Sequence, residues 1–528
     1  MHKLKKILPL LFLSLLLTSL MVVPALAQDE TGQPGVAEPS APTAVEVAPE
    51  KGPPPPAPTT IIYNLYATDA FIPLADGSAV YNYGFVGGRQ GVPLTFQNSV
   101  TPGGSRAGDT ELWTSFTYTG NGNIPGGAPA PTGGPVTGDE TLLLGNAQFP
   151  APLIYAAVGD VVEIRLKNLG TTLSTAPNDP HSIHLHGLDV DAANDGVPET
   201  SVGAIPANSG APGAGNVIVY MFSPQYAGTT MWHCHQEADI HVQMGMYGAL
   251  VVYSKEDKSN TNSAYNNGGP GNGFGGTLFG WKYDKDYVLL ESEIGPAQHV
   301  SEEISGDYNP VDYKPTYWFL NGLSFPNTIH VNLPGSWGDW IAAHPGYDPL
   351  IVGSVGAKSS DGSKGQKVLI RMINMGYETQ PMHMHGYHGK VIGSDQRAWI
   401  WANAAAKNGL WNKGTPWGEG MEKNTLTIGS GETYEWLVNF GLQAVTSTYP
   451  SGTQTRFDGS GPQSNTQTQF PPIPDPSGPP YIGGPTVAGL VGLGGTSQIF
   501  PFHNHDDYKA TNNGAYPGGM FTALIPVP

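Results

Sequence analysis

Cysteine is nearly absent: Cys234 is the one thiol among 528 residues. A single thiol cannot cross-link its own chain, which excludes a disulfide scaffold and leaves the residue either a chemical task or a buried place. Basic residues are scarce as well, 24 Lys and Arg against 43 Asp and Glu, for a formal charge of −19. Such a surface repels nucleic acid and attracts cations. A long apolar run occurs once, from Ile7 to Val23, and nothing later is long and apolar enough to span a bilayer. Charged residues make up only 13% of the chain while Gly (71) and Pro (49) abound, which argues against long helices and for many short strands joined by turns.

The apolar run is preceded by Lys3, Lys5 and Lys6 and followed by Ala25-Leu26-Ala27, the pattern of a cleaved secretory signal over 1–27. Its removal takes three lysines and no acid, making the charge −22. Residues 28–58 are rich in Pro, Ala and Glu, cannot bury enough surface to fold, and read as a disordered tether. A secreted or periplasmic protein of a bacterial cell envelope is the expectation.

The remaining chain contains a domain-sized repeat. Residues 152–253 and 365–527 each run through an apolar strand, an H-x-H-G, another strand, an H-x-H and a closing Gly-Met before an apolar end. Strands that alternate apolar and polar residues between Gly, Pro and Asn turns suit an all-β fold of two antiparallel Greek-key sandwiches. The boundaries fall at 60–255 and 280–528, with the Gly/Asn-rich 256–279 as a flexible linker. The second unit carries a long insert, 441–497, where the first has a few residues; loops of that length are functional or disordered.

Eight of the 15 histidines form four H-x-H pairs: His184/His186, His233/His235, His383/His385 and His503/His505. Residues i and i+2 of a strand share a face, so each pair can present two imidazoles to one point. One such pair alone would be an ordinary packed or surface pair; four at matching places in two repeats point to a metal site, though imidazole by itself does not name the metal. Cys234, between His233 and His235, points to the opposite face. A thiolate, two imidazoles and a methionine thioether are what a type 1 electron-transfer copper requires, and His181, Cys234, His241 and Met246 supply them. Met244 is a fallback for the thioether. The second repeat has Gln380 in place of His181 and Asn504 in place of Cys234, so only the first repeat carries a thiol site.

The motifs "HSIHLHG" (181–187), "HCHQEADIHVQMGM" (233–246), "HMHG" (383–386) and "HNH" (503–505) resemble those of the multicopper oxidases. The likeness covers nearly all of 60–528 and is nearest to two-domain laccases with the type 1 copper in the first of two cupredoxin-like domains. It implies four coppers per chain: type 1 at His181, Cys234, His241 and Met246, type 2 at His184 and His383, and a type 3 pair at His186, His233, His235, His385, His503 and His505. It also implies four one-electron oxidations of a donor coupled to reduction of O2 to water, and a homotrimer with a three-copper site at each subunit junction. Many relatives place the type 1 histidine where this chain has Asp239, two residues before His241. Oxygen reduction consumes protons, so Asp195, Glu237 and Asp507 are candidate acids, each with a solvated loop residue as its plain alternative.

Two rivals differ in testable ways. A copper nitrite reductase needs a mononuclear second site and about three histidines, not eight. A non-catalytic periplasmic copper-binding or electron-transfer protein would use the thiol site alone and leave the second repeat's paired histidines without a task. The donor is open at this stage: phenols, aromatic amines, or a low-valent metal ion drawn to the acidic surface. The 12 methionines are scattered, with no methionine-rich insert of the kind associated with cuprous donors.

Overall fold

A computed structural model of the chain describes residues 59–92, 94–98, 104–107, 143–201, 203–207, 217–329, 337–399, 421–443 and 498–528. The expected signal, the tether and most of the 441–497 insert lie outside the described residues. The described residues all fall in one compact unit.

In chain order the first half forms β1 (Thr60–Pro73), β2 (Ala79–Arg89), a separate ribbon of β3 (Thr95–Asn98) and β4 (Gly104–Ala107), then β5 (Ile154–Ala157), β6 (Val161–Asn168), β7 (His184–Leu185), β8 (Ile218–Phe222), β9 (Gly228–His233) and β10 (Tyr247–Tyr253). Two four-stranded sheets result, ordered β2-β1-β6-β8 and β5-β10-β9-β7. After a short ribbon of β11 (Gly276–Leu278) and β12 (Trp281–Tyr283) come β13 (Lys285–Ile294), β14 (Tyr317–Leu320), β15 (Ile351–Ser354), β16 (Lys367–Asn374), β17 (Gln380–Met384), β18 (Gly389–Ser394), β19 (Arg397–Ala398), β20 (Met421–Lys423), β21 (Thr425–Ile428), β22 (Thr433–Asn439), β23 (Phe500–Asn504) and β24 (Phe521–Val527). They build a second pair of sheets, β14-β13-β16-β22-β18-β19 and β15-β24-β23-β17-β21. Four helices are described, α1 (Ala238–His241), α2 (Lys255–Ser259), α3 (Pro296–Ile304) and α4 (Trp337–Ala343). The longest is α3, at nine residues.

The two halves match pairing by pairing. β1 runs parallel to β6 as β13 does to β16, and β5 parallel to β10 as β15 does to β24. β7 pairs antiparallel with β9 as β17 does with β23, which sets His184 opposite His233 and His383 opposite His503. These parallel pairs correct the expectation of purely antiparallel sheets: each joins strands whose connection is long enough to bring the chain back in the same direction. The apolar positions of β6, Val162, Ile164 and Leu166, enter the first core with Tyr220, Trp232 and Cys234. Each large apolar side chain so buried contributes roughly 1.5–3 kcal/mol. The polar positions between them are covered too, and Glu163 pairs with Arg165.

The 256–279 segment is not a flexible linker. Ser254 caps α2 with a reciprocal Asp257 contact, Tyr265 donates to Asp160 at 2.8 Å, and the Asn266 and Asn267 amides bond backbone carbonyls around them. The asparagines that read as solvent-seeking therefore satisfy the backbone of a tight connection. The two sandwiches also lock directly, through Glu435 accepting from the Thr229 amide at 2.8 Å and the Tyr253 hydroxyl donating at 3.1 Å to Asp286, which Arg371 of the same sandwich pairs at 2.9 Å.

Candidate metal centre

β9 ends at His233, and the chain then turns through Glu237, whose φ of 44° is left-handed, into the single turn of α1. That turn returns His241 to the thiol. Cys234 Sγ lies 3.8 Å from His181 Nδ1 and 3.6 Å from His241 Nδ1. Ligand bonds of about 2.3 Å to sulfur and 2.0 Å to nitrogen at trigonal angles would separate the donors by about 3.7 Å, so the three atoms fit one metal ion. Met246 lies opposite on β10's approach: its carbonyl accepts the Cys234 amide at 3.0 Å, and its amide bonds His241 O at 3.1 Å. Cys234, His241, Met244 and Met246 have no exposed surface. Asp239, at the more usual histidine position, points outward, because the helical turn moves the ligand two residues on.

On the other face of the strand the imidazoles of His184, His186, His233 and His235 gather, with neighbouring ring centroids 5.0–5.7 Å apart. The second half repeats the group with His383, His385, His503 and His505 at 4.8–6.1 Å. Backbone carbonyls orient the rings in both. Nδ1 of His184 donates to Asp195 O at 2.7 Å, that of His233 to Cys234 O at 2.7 Å, and that of His503 to Asn504 O at 2.8 Å. His383 Nδ1 faces Asn424 O at 3.0 Å and Thr425 Oγ1 at 2.7 Å. A carbonyl accepts only, so Nδ1 carries the proton and Nε2 keeps a lone pair for a metal. His186 and His233 bring their Nε2 atoms to 3.0 Å, and His385 and His503 to 3.1 Å, close enough to share a proton or to face one metal ion. Burial, with neighbouring imidazoles adding to it, pushes His186 down to about 4 and His233 to about 3, so both rings are neutral and able to ligate.

Each ring contact among these eight histidines stays within its own group of four. In the first group His233 is buried and the others half-buried; in the second, His385 and His505 are exposed. The second half also shows what replaces a thiol. Asn504 Nδ2 donates to Gln380 Oε1 at 2.7 Å and sits 3.4 Å from Met520 Sδ, and Gln380 Nε2 donates to Glu293 at 2.9 Å. Hydrogen bonds there do the joining that a metal would do at Cys234.

The candidate acids divide. Asp195 Oδ1 is 3.4 Å from His184 Nδ1, and Asp507, mostly exposed, is 3.9 Å from His503 Nδ1. Glu237 belongs elsewhere than expected: its carboxylate gathers with those of Asp179 and with His241, on the thiol side, all within 4.8 Å. Asp179 and the nearby Glu302 were not singled out from sequence, since Glu302 arrives on α3 from the second half. His299 and His344 are buried and hydrogen-bonded to Tyr81 O and Trp340 O, as structural residues are.

Family models described as multicopper oxidase match residues 132–257 and 314–441. The chain is 35% identical over 117 residues to copper resistance protein A of Pseudomonas syringae pv. tomato, which covers 22% of this chain and 17% of that one. It is 25% identical over 262 residues to putative laccase-1 of Oryza sativa subsp. japonica, covering 49% and 35%. The matches thus span about a sixth to a third of these relatives' lengths. Among solved structures, the blue copper oxidase of Nitrosomonas europaea aligns over 89% of this chain and 86% of that chain, at 18% identity and a TM-score of 0.47. The two matched segments take in both histidine pairs of the first half and His383/His385 of the second; the chain belongs to the multicopper oxidase family.

Proposed function

We propose that the chain is a laccase-like oxidase that couples four one-electron oxidations of a donor to reduction of O2 to water. The observation that carries this reading is the junction at Cys234. Its thiol meets His181 and His241 on one face, while its own carbonyl accepts the His233 Nδ1 proton at 2.7 Å on the other. Type 1 copper would be held by His181, Cys234, His241 and Met246, type 2 by His184 and His383, and the type 3 pair by His186, His233, His235, His385, His503 and His505. Bound there, copper supplies the one-electron oxidation of the donor and the reduction of oxygen.

The protein's part is placement and proton supply. The residue bonds from Cys234 to its two flanking histidines give electrons a short covalent route, and the carbonyl bond to His233 gives a second. Backbone carbonyls hold four rings with Nε2 free, which fixes their orientation before metal arrives. Asp195 and Asp507, both reached by solvent and both beside a ligand histidine, are placed to hand protons toward the histidine groups.

Each chain carries two half-sites of four imidazoles that do not meet within it. A head-to-tail ring that sets the first half of one subunit against the second half of the next completes them, and three subunits close it. The exposure of His385 and His505 favours this assembly. The N-terminal signal pattern supports export. Copper analysis with visible and EPR spectra tests the reading: four coppers per chain and O2 uptake with a phenolic donor are expected, and one or two coppers would sink it. Sedimentation as a fully copper-loaded monomer would overturn the ring.

A further inference from the structure

The hairpin between β18 and β19 turns through Asp395 and Gln396, both left-handed, with φ of 47° and 59°. Neither is glycine, and such residues hold this backbone only where their surroundings fix it. Here the other sandwich supplies part of those surroundings. The Asp395 carboxylate accepts the Thr433 amide at 3.0 Å, and the Thr433 hydroxyl donates to Thr229 O on β9 at 2.9 Å. Gln396 is 2% exposed, its Nε2 donates to Tyr226 O at 3.2 Å, and its Cα leaves no room for a side chain at Gly228, the first residue of β9. Its Oε1 makes no hydrogen bond among the described residues and occupies the place where a side chain at Gly187 would lie. A buried amide oxygen without a donor costs stability, as does the left-handed turn, so folding alone does not account for this wedge.

The second half shows what the wedge replaces. The bond from His186 N to Met231 O at 3.0 Å recurs as His385 N to Pro501 O at 2.9 Å, which makes Gly386 the counterpart of Gly187 and Phe500 that of Thr230. At Gly386 the Phe500 ring fills the place of the absent side chain. Thr230 is too short to do the same. Its hydroxyl donates to His186 O at 2.8 Å, and Gln396 fills the remaining space from across the sandwich boundary.

We propose that Gln396 is a positioning residue for His186: pressed on Gly187, it holds the loop so that the His186 and His233 Nε2 atoms stand 3.0 Å apart. The proposal rests on the oxidase reading, in which both rings bind the type 3 pair. Metal ligands must be held to within about 0.5 Å of their working geometry, and supporting residues behind them do that holding. β18 begins at Gly389, soon after His383 and His385, so one stretch of chain leaves the second histidine group and braces the first.

The test uses Gln396→Gly and Gln396→Asn, since both residues accept a left-handed backbone and neither reaches Gly187. In the metal-free full chain, hydrogen exchange at the His186 amide is expected to quicken about tenfold in both variants, with the urea midpoint little changed. In the copper-loaded chain, a chelator is expected to strip histidine-bound copper about tenfold more readily, with the visible band of the thiolate site retained. Exchange at His186 equal to wild type in both variants overturns the proposal. So does histidine-bound copper held as in wild type, or loss of both kinds of copper together, which marks a general loosening. A wild-type chain that binds copper only at Cys234 defeats the oxidase reading, and the exchange experiment still decides the brace by itself.

Discussion

Replacing Glu293 by glutamine is expected to flatten part of the pH dependence of stability. Glu293 lies at the end of β13, almost wholly buried, where Oε1 accepts from the Tyr313 hydroxyl at 3.2 Å and the Glu378 amide at 3.1 Å, and Oε2 from Gln380 at 2.9 Å. Burial outweighs these donors and lifts its pKa from 4.5 to about 7. Between those values the folded protein keeps a proton that the unfolded chain has released, so stability falls as pH rises across the interval and is level above it. At 1.36 kcal/mol per pH unit the loss is about 3 kcal/mol. Glu435 and Glu291, also raised by burial, add losses of the same sign, while buried histidines held low oppose them, so the readout is the difference between wild type and variant across the interval. The assay is urea unfolding of chelated, metal-free protein at intervals from pH 4.5 to 8, which removes the proton linkage of copper binding. Glutamine also turns an amide toward the Gln380 amide and costs about 1–3 kcal/mol at every pH, so the slope is the readout and the midpoint is not. A variant with the full wild-type slope refutes the account of Glu293.

Two further outcomes follow from the site. Gly196→Ala puts a methyl 1.7 Å from Ile183 O at a φ of +75°, beside the Asp195 carbonyl that holds His184; a loss of about 2–4 kcal/mol and a weakened type 2 EPR signal are expected, and native-like melting with an intact spectrum would contradict it. Cys234→Ser is expected to abolish the intense visible band and lower copper content by one per chain while the histidine-bound coppers stay; retention of the band would place the thiolate site elsewhere.

The H-x-H pairs could be read from sequence because their geometry is local: on a strand, i and i+2 share a face whatever surrounds them, and the ladder that sets His184 against His233 is the same one that sets His383 against His503. The contrast of Cys234 with Asn504 was equally open to reading, since it needed only the alignment of one repeat with the other. The connection at 256–279 was misread because composition reports what asparagine can do in solvent, whereas here its amides close a folded turn. That Glu237 gathers with Asp179 and His241 was not open to reading from spacing, because its own left-handed backbone turns the chain after His235.

By itself the sequence determined the chemistry carried: one thiol, eight paired imidazoles, two homologous β units and an acidic surface. Tertiary structure alone decided how those groups are shared. Only the crossing of α3 onto the first sandwich brings Glu302 to Asp179 and His241, and only the separate packing of the two sandwiches keeps the histidine groups apart within a chain. Spacing along a strand fixes which face a residue takes, but contacts between residues far apart in the chain depend on sheet register and packing, which no local pattern encodes.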